Sequence, residues 1–314
     1  MQRIKKVLIG LNNTPLDQEL IEYAGLMVNV TGAEELFFVH SLDFHLPHQI
    51  KREFPQLEEE ALSERKEELT KLVEQHFHPD REIKFSVEVR KSSNVLKGFI
   101  HIIGERNIDL VIIGRKANKS KSGVFIQRLA RRAPSQLLIV PEGTIIKIQK
   151  GSPITKLLVP VDFSEYSVLA LERAIRIARL NKKDKVEIVC QHVYTVPSGY
   201  HYTGKTHEEF ADVMKQNAIA EYKTFIEPID TKGINISLVV SEDINEDKTT
   251  DIRDLAKEIN ADGIVIGSKG HTATAALFLG SVAEKLIRNT TQFTLLVVRK
   301  KGDYESIIDH LKKL

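Results

Sequence analysis

The chain has few of the features that mark secreted, membrane-spanning or disulfide-stabilised proteins. It holds one cysteine, Cys190, which excludes an intramolecular disulfide and is typical of a reducing compartment. No stretch approaches the roughly 20 apolar residues that cross a bilayer, and the charged start, Met1 to Lys6, predicts no signal peptide. We therefore expect a cytoplasmic protein that does not associate with membranes.

An excess of charge and recognisable catalytic motifs are missing as well. The 45 basic and 43 acidic residues give a formal net charge of +2, so a nucleic-acid partner is not expected. The sequence contains no nucleophile elbow and no zincin motif, and its histidines lack the tight spacing of a metal site. No catalytic residue and no metal ligand are predicted.

What the chain does have is an internal repeat with a spacing of roughly 150 residues. Four runs of the first copy recur in the second in the same order. They are Val7–Asn12 with Leu157–Asp162, Phe37–His40 with Val189–His192, Asn107–Gly114 with Asn260–Gly267, and Leu137–Val140 with Leu295–Val298. The repeat predicts two domains, 1–143 and 154–300, joined by a linker at Pro141–Pro153 and followed by a tail helix over 301–314.

Within each copy, apolar strand-like runs alternate with helical stretches. In the second copy the predicted elements, strand and helix in turn, are Lys156–Val161, Ser164–Leu180, Val186–Val193, His207–Ile226, Ile234–Val240, Thr250–Asn260, Gly263–Gly267, Ser281–Asn289 and Thr294–Val298. Short strands rich in Val, Ile and Leu are typical of parallel sheets covered on both faces by helices. We predict two tandem open parallel five-stranded α/β sheets of the Rossmann-like kind, with Ser164 as an N-cap and Ile234–Val240 near an edge.

A glycine-rich loop follows the fourth strand of the second copy. Gly267 and Gly270 are followed, after nine residues, by Gly280 and Ser281, which open a helix. Glycines let the backbone approach a phosphate closely and adopt positive φ, and a helix N-terminus offers free N–H groups. Each residue alone is more often structural, but the whole set at a strand-to-helix crossover favours a phosphate site.

This loop resembles the ATP-binding signature of the universal stress protein family, which is Gly, two residues, Gly, nine residues, Gly, then Ser or Thr. Val282–Arg288 resembles the family's following helix, and Leu158–Asp162 resembles its first strand. The resemblance implies an adenine nucleotide α-hydrolase-like fold, ATP as the ligand with or without Mg²⁺, and a regulatory role with an unknown protein partner. It also implies the residues that contact ATP: Asp162 at the adenosine, the backbone of Val193 at the adenine, and Gly267, Gly270, Gly280, Ser281 and Val282 in the loop and helix.

The first copy departs from this pattern at four points. Ala117 replaces the second glycine, Val124 replaces the serine, Asn12 replaces the acid, and the loop is four residues shorter. We predict that the first copy has lost the site and serves as a scaffold or regulatory surface. The final strands of the two copies are expected to pair as an intramolecular pseudo-dimer, and a homodimer stays open.

Several alternatives stay open from the sequence alone. Gly199–Thr206 fits the P-loop pattern, although its three bulky rings are awkward for wrapping a phosphate. Lys205 is separately a candidate to reach the ATP phosphates. The alternatives to an ATP-binding regulator are a slow ATPase or nucleotidyl-type enzyme on the same fold, and an interaction scaffold that uses no nucleotide.

Overall fold

The computed structural model describes residues 3–42, 47–116, 122–145, 154–182, 185–244, 246–270 and 279–300. These residues divide into two compact units, 3–145 and 154–300. Most of the predicted linker and the whole predicted tail helix, 301–314, lie outside the described residues. Among the residues described, no helix has the length and apolar content that crossing a bilayer requires.

The first unit is a parallel five-stranded sheet in the order β3-β2-β1-β4-β5. Its elements in chain order are β1 Lys6–Leu11, α1 Leu16–Thr31, β2 Glu35–Leu42, α2 His48–Glu53, α3 Leu57–His76, β3 Lys84–Lys91, α4 Val95–Arg106, β4 Leu110–Arg115, α5 Ser122–Arg132 and β5 Gln136–Pro141. The chain moves from β1 towards β3 and then crosses to the other half of the sheet for β4. Because such crossovers are right-handed, α1 and α3 pack together on one face, and α4 and α5 pack together on the other.

The second unit repeats this architecture in the order β8-β7-β6-β9-β10, again with parallel strands. Its elements are β6 Lys156–Pro160, α6 Glu165–Leu180, β7 Glu187–Tyr194, a 3₁₀ helix Ser198–Thr203, α7 His207–Ile226, β8 Asn235–Glu242, α8 Lys248–Glu258, β9 Gly263–Gly267, α9 Ser281–Asn289 and β10 Thr294–Val298. The predicted α/β class with two tandem parallel sheets is therefore confirmed.

The local predictions for the second unit hold closely. Ser164 caps α6, since its side chain accepts a hydrogen bond from the backbone N–H of Ser167. Strand β8 pairs with β7 alone among the described strands, and its residues alternate in exposure, as expected near an edge. Helix α8 begins two residues earlier than predicted because the Asp247 carboxylate caps it, accepting from the N–H of Thr249 at 3.2 Å.

The core of each unit lies between the sheet and its helices. The central strands are buried along nearly their whole length: all five residues of β9 are buried, and Leu8, Ile9 and Leu158 have essentially no exposed surface. Such strands carry apolar side chains on both faces, which explains why their sequences are continuous apolar runs. This core fixes the carboxyl ends of the strands, where the predicted site lies.

Candidate functional site

The seven predicted nucleotide-binding residues of the second unit line one pocket. It opens at the carboxyl ends of β6, β7 and β9. After β6 the chain continues to β7 on one side, and after β9 it continues to β10 on the other side, so the connections diverge between β6 and β9. In open α/β sheets, ligands bind at this switch point. The cavity has a volume of about 230 Å³, and the predicted residues in its lining are Asp162, Val193, Gly267, Gly270, Gly280, Ser281 and Val282.

The carboxylate of Asp162 is held rigidly at the end of β6. Its Oδ1 accepts hydrogen bonds from the backbone N–H and the hydroxyl of Ser164, at 3.1 and 2.6 Å, and from the hydroxyl of Ser167 at 2.6 Å. Its Oδ2 lies on the side of Gly270. Three donors on one oxygen fix the orientation of the carboxyl group, so that its second oxygen faces the glycine loop.

The residue after this acid adopts a backbone conformation that is unfavourable for most side chains. Phe163 has φ +65°, and Asn13, at the matching position of the first unit, has φ +55°. Asn tolerates this left-handed region, but for other residues it costs about 1–2 kcal/mol. The Phe163 ring stacks on His192 at 4.5 Å between centroids, and this contact offsets part of the cost. Strain of this kind is common beside binding sites.

The three glycines of the loop are required for close packing, and the expectation that they adopt positive φ is wrong. None of them is among the glycines with left-handed backbone, and Gly280 has φ −61°. A Cβ on Gly267 would lie 2.7 Å from the carbonyl oxygen of Tyr166, and one on Gly280 would lie 3.3 Å from the Cα of Lys269. A Cβ on Gly270 would overlap with the Oδ2 of Asp162. The loop, the acid and α6 are therefore packed without room for side chains.

Gly267 has a purely structural reason to be glycine. Gly114, its counterpart in the first unit, is kept although the rest of the motif is lost, and a Cβ there would lie 2.5 Å from the Leu16 side chain. Both glycines thus let the first helix of their unit pack against the fourth strand. Gly270 and Gly280, by contrast, pack around the pocket itself.

The N-terminus of α9 faces the pocket with donors that the helix does not use. Gly280 is the N-cap and makes no side-chain cap hydrogen bond, and the first backbone bond within the helix is Glu284 N–H to the Gly280 carbonyl. The N–H groups of Ser281, Val282 and Ala283 therefore lack intrahelical acceptors, and all three residues line the cavity. Together with the helix dipole, these groups favour an anion.

Two lysines line the pocket, and neither was identified from the sequence. Lys248 is the first residue of α8, and Lys269 lies within the glycine loop with its ammonium group 5.2 Å from the Tyr166 ring centroid. Lys205, the sequence candidate, is exposed and does not appear in the lining of the cavity. Lys248 could have been predicted from its position, because it lies in the connection between a predicted strand and the following helix. In such sheets the connections that leave the carboxyl ends of the strands meet at one edge, where ligands bind.

Part of the pocket wall is apolar. It is lined by Val161 just after β6, by Val193 in β7 and Ile266 in β9, and by Ile252 in α8. His192 closes this wall, with its Nδ1 3.0 Å from the carbonyl oxygen of Val161, and burial lowers the pKa of its imidazole. The pocket thus combines an apolar wall with a carboxylate that faces Gly270, one lysine from α8, one lysine from the glycine loop, and the free N–H groups at the start of α9.

The segment that fits the P-loop pattern does not have the conformation of one. Residues Ser198–Thr203 form a 3₁₀ helix, and Tyr202 is 87% exposed. Thr206 is the N-cap of α7 in a capping box: its hydroxyl accepts from the N–H of Glu209, whose carboxylate in turn accepts from the N–H of Thr206. Thr206 already takes part in these bonds, and the Tyr200 ring packs against His207 and Phe210 of α7. The segment therefore starts a helix and does not wrap a phosphate.

The first unit retains a cavity at the matching edge of its own sheet. It has a volume of about 390 Å³ and contains Asn12, Gly114 and Lys116 in its lining, whereas Val124 is absent from it and Ala117 lies outside the described residues. The acid has changed position: the Asp17 carboxylate, which takes the place of Ser167, accepts hydrogen bonds from the backbone N–H of Asn12 at 3.0 and 3.2 Å. This exchange was not recognised from the sequence, because it moves a carboxylate by five residues.

The surroundings of His40 and Cys190 indicate structural roles for both residues. His40 repeats the contact of His192, with its Nδ1 3.0 Å from the carbonyl oxygen of Leu11. Cys190 is buried in β7, and burial raises the pKa of its thiol to about 11 despite an opposing hydrogen bond with Tyr222. His76 lies 3.1 Å from a Glu22 carboxylate oxygen, and the described residues contain no group of three potential metal ligands.

Comparison with known proteins gives consistent matches along the chain. A model of the universal stress protein family matches residues 3–141 and again 153–299. Universal stress protein MJ0577 of Methanocaldococcus jannaschii is 28% identical over 159 residues, which are 47% of this chain and 96% of the relative. A solved universal stress protein from Archaeoglobus fulgidus covers 96% of this chain and 100% of its own, with 19% identity and a TM-score of 0.66. A universal stress protein solved in complex with cAMP covers 47% of this chain and 98% of its own, with 21% identity and a TM-score of 0.35.

Proposed function

The chain belongs to the universal stress protein family as a tandem two-domain member, and on that premise we propose that its second unit binds one molecule of ATP. The protein then acts as an ATP-dependent regulator in a stress response, with the bound nucleotide setting its conformation or its choice of partner. The observation that carries this proposal is the convergence of the acid, the glycine loop, the helix N-terminus and two lysines on one pocket.

Each part of ATP has a chemically suitable counterpart in the pocket. The apolar wall of Val161, Val193 and Ile252 suits the faces of an adenine ring, and a fixed carboxylate such as that of Asp162 suits ribose hydroxyl donors. The phosphates then extend along Gly270 and Gly280 to the N-terminus of α9, where free N–H groups favour negative charge. A cavity of about 230 Å³ encloses the nucleoside, and the phosphates lie at its opening.

The lysines give the pocket a preference for nucleotides with several phosphates. Lys248 and Lys269 bring two positive charges to a cleft in which Asp162 is the one carboxylate among the described lining residues. A metal ion that accompanies ATP would accordingly be held by phosphate oxygens and water, which is usual for Mg²⁺. We therefore expect ATP to bind more tightly than AMP or cAMP, each of which carries a single phosphate.

Two measurements separate this function from its alternatives. Mass spectrometry of small molecules released from the denatured purified protein should detect adenine nucleotide, and its absence together with no binding in calorimetry would favour a scaffold. Calorimetric titration should give one ATP per chain, and two equivalent sites would contradict the assignment to the second unit. Sustained phosphate release from excess ATP would instead identify a slow ATPase.

A further inference from the structure

The cavity of the first unit is remodelled and has not simply been filled in. Counting back from the matched residues Asn107 and Asn260, Val95 takes the place of Lys248, and Phe99 takes the place of Ile252. Counting forward from Gly123 and Gly280, Phe125 takes the place of Val282. All three replacements line the first cavity, and all three corresponding residues line the second. A cation and two aliphatic side chains have thus become one aliphatic and two aromatic side chains.

The resulting walls suit a flat apolar molecule. The rings of Phe99 and Phe125 meet edge to face, with centroids 5.6 Å apart and planes at 75°. Leu16, Leu20 and Ile113 extend the apolar surface, and the cavity volume of about 390 Å³ lies within the usual range for small-ligand sites. Aromatic rings prefer neighbours that are offset-stacked or edge to face. A pair of rings at this angle offers a flat ligand a ring face for stacking and a ring edge for an edge-to-face contact.

One buried hydroxyl in this cavity is left without a partner. Ser41, which takes the place of Val193, is 7% exposed, lines the cavity, and its Oγ makes no hydrogen bond among the described residues. An unsatisfied buried hydroxyl costs free energy, and a ligand group that reached this oxygen near the end of β2 would remove that cost. The carboxylate of Asp17, which also lines the cavity, accepts hydrogen bonds from the backbone N–H groups of Asn12 and Thr14.

We propose that the first unit binds a small planar aromatic molecule that lacks phosphate and carries one hydroxyl or N–H group, which bonds to Ser41. Asn12 in place of Asp162 and Val95 in place of Lys248 remove an acid and a cation from two positions that line the nucleotide pocket of the second unit, although Lys116 remains at the exposed edge of the first cavity. The aromatic pair supplies a different specificity. The chain then carries two ligand sites of different chemistry on one repeated fold. This site is independent of whether the second unit binds ATP.

The probe for the test is 2-naphthol, a fluorescent planar aromatic with one hydroxyl. The chain has no tryptophan, so the protein contributes only tyrosine and phenylalanine emission. Fluorescence titration and equilibrium dialysis of the full chain should show one saturable site. Saturating ATP should leave that binding unchanged, because the two cavities belong to different units.

Substitutions then locate the probe. Val95→Lys restores a charge at the half-buried edge of the cavity and should weaken 2-naphthol binding at least tenfold, on the order expected for placing an amine against an apolar ligand. Ser41→Ala should weaken it about three- to tenfold through the lost hydrogen bond. The matched control is Val124→Lys, an identical change at a residue that is 52% exposed and outside the cavity lining.

The outcomes are distinct. Absence of saturable binding, displacement of 2-naphthol by ATP, or equal affinities of Val95→Lys and Val124→Lys would overturn the proposal. Circular dichroism shows whether each variant is folded, and the Ser41→Ala variant, which adds neither charge nor bulk, keeps the test valid if Val95→Lys does not fold. ATP titration of the same variants should be unchanged, so that failure at one site is distinguishable from failure at the other.

Discussion

Gly270 and Asp162 are in such close contact that a larger residue at position 270 would disturb the acid. A Cβ on Gly270 would overlap with the carboxylate oxygen that faces the loop, while the other oxygen is fixed by three donors. We expect Gly270→Ala to displace either the loop or the acid and to weaken ATP binding by about 1–3 kcal/mol, the usual cost of overpacking. Calorimetry measures the change. Gly104→Ala is the control, since nothing lies within 4 Å of that position, and equal affinities in the two variants would contradict the assigned contact.

His40 and His192 should make the stability of the protein depend on pH. Burial lowers the pKa of both imidazoles below the ordinary value of 6.5, so the folded state binds fewer protons than the unfolded state near that pH. Their contribution to stability is present above the unfolded pKa and is lost as the pH falls from 6.5 towards the folded pKa values. Each group adds a slope of at most about 1.4 kcal/mol per pH unit.

Urea unfolding at a series of pH values between 7.5 and 5 measures this effect. His192→Asn keeps a donor that reaches the Val161 carbonyl but does not titrate, and it should flatten the pH dependence of the free energy of unfolding. His101→Asn, at an imidazole that is 76% exposed, is the control. A wild-type slope in His192→Asn would show that the buried imidazole is not the source.

At the scale of single elements, the N-terminus of α9 carries most of the expected phosphate binding. Ser281→Ala should weaken ATP by about 1–3 kcal/mol through a lost hydrogen bond to a charged group. Gly280→Val should abolish binding, because its Cβ would lie 3.3 Å from the Lys269 Cα and push the loop across the site. Thr206→Ala, which removes a hydroxyl at the start of α7, should leave ATP affinity unchanged in the same calorimetric assay. Unchanged affinity in both α9 variants, with the fold intact, would remove the assigned site.

Elements whose limits are set by local chemistry were predictable from the sequence. Helix α9 begins at Ser281 and α7 at His207, as predicted, because Gly280 and Thr206 cap them locally. Positions that depend on distant packing were not predictable. Lys248 enters the pocket because α8 starts early at the cap Asp247, and the direction of that helix depends on the crossover that precedes it.

The role of the glycines shows the same limit. Their spacing predicted a site, but the reason for them could not be read from spacing. Gly267 is small because Tyr166 lies against it, which is a contact between residues about a hundred positions apart in the chain. The aromatic lining of the first cavity, Phe99 and Phe125, likewise depends on two helices that meet only in the folded unit. A degenerate motif therefore concealed a cavity of different chemistry.

For the whole molecule, we predict that the final strands of the two units pair with each other within one chain. Strands β5 and β10 are buried and apolar, and an apolar strand at the end of a sheet presents N–H and C=O groups that favour pairing. A short linker raises the effective concentration of the second copy to the millimolar range. A first copy without an ATP site then still has the structural task of covering its partner's sheet.

Amide hydrogen exchange tests this arrangement together with sedimentation. The chain should sediment as a 35.6 kDa monomer, and the amides of Leu137–Val140 and Leu295–Val298 should be protected to the same degree at every protein concentration. Protection that is lost on dilution, together with a dimer that dissociates, would show that these strands pair between chains instead.

The low reactivity of Cys190 makes it practical to attach dyes to the protein at introduced cysteines. Burial raises the pKa of the thiol to about 11, so very little of it is the reactive thiolate at pH 7, and the side chain is inaccessible as well. Native protein should consequently resist maleimide reagents. A pair of cysteines introduced on the exposed faces of α3 and α7 would take up dyes without background labelling, and energy transfer between the dyes would report whether nucleotide changes the distance between the two halves.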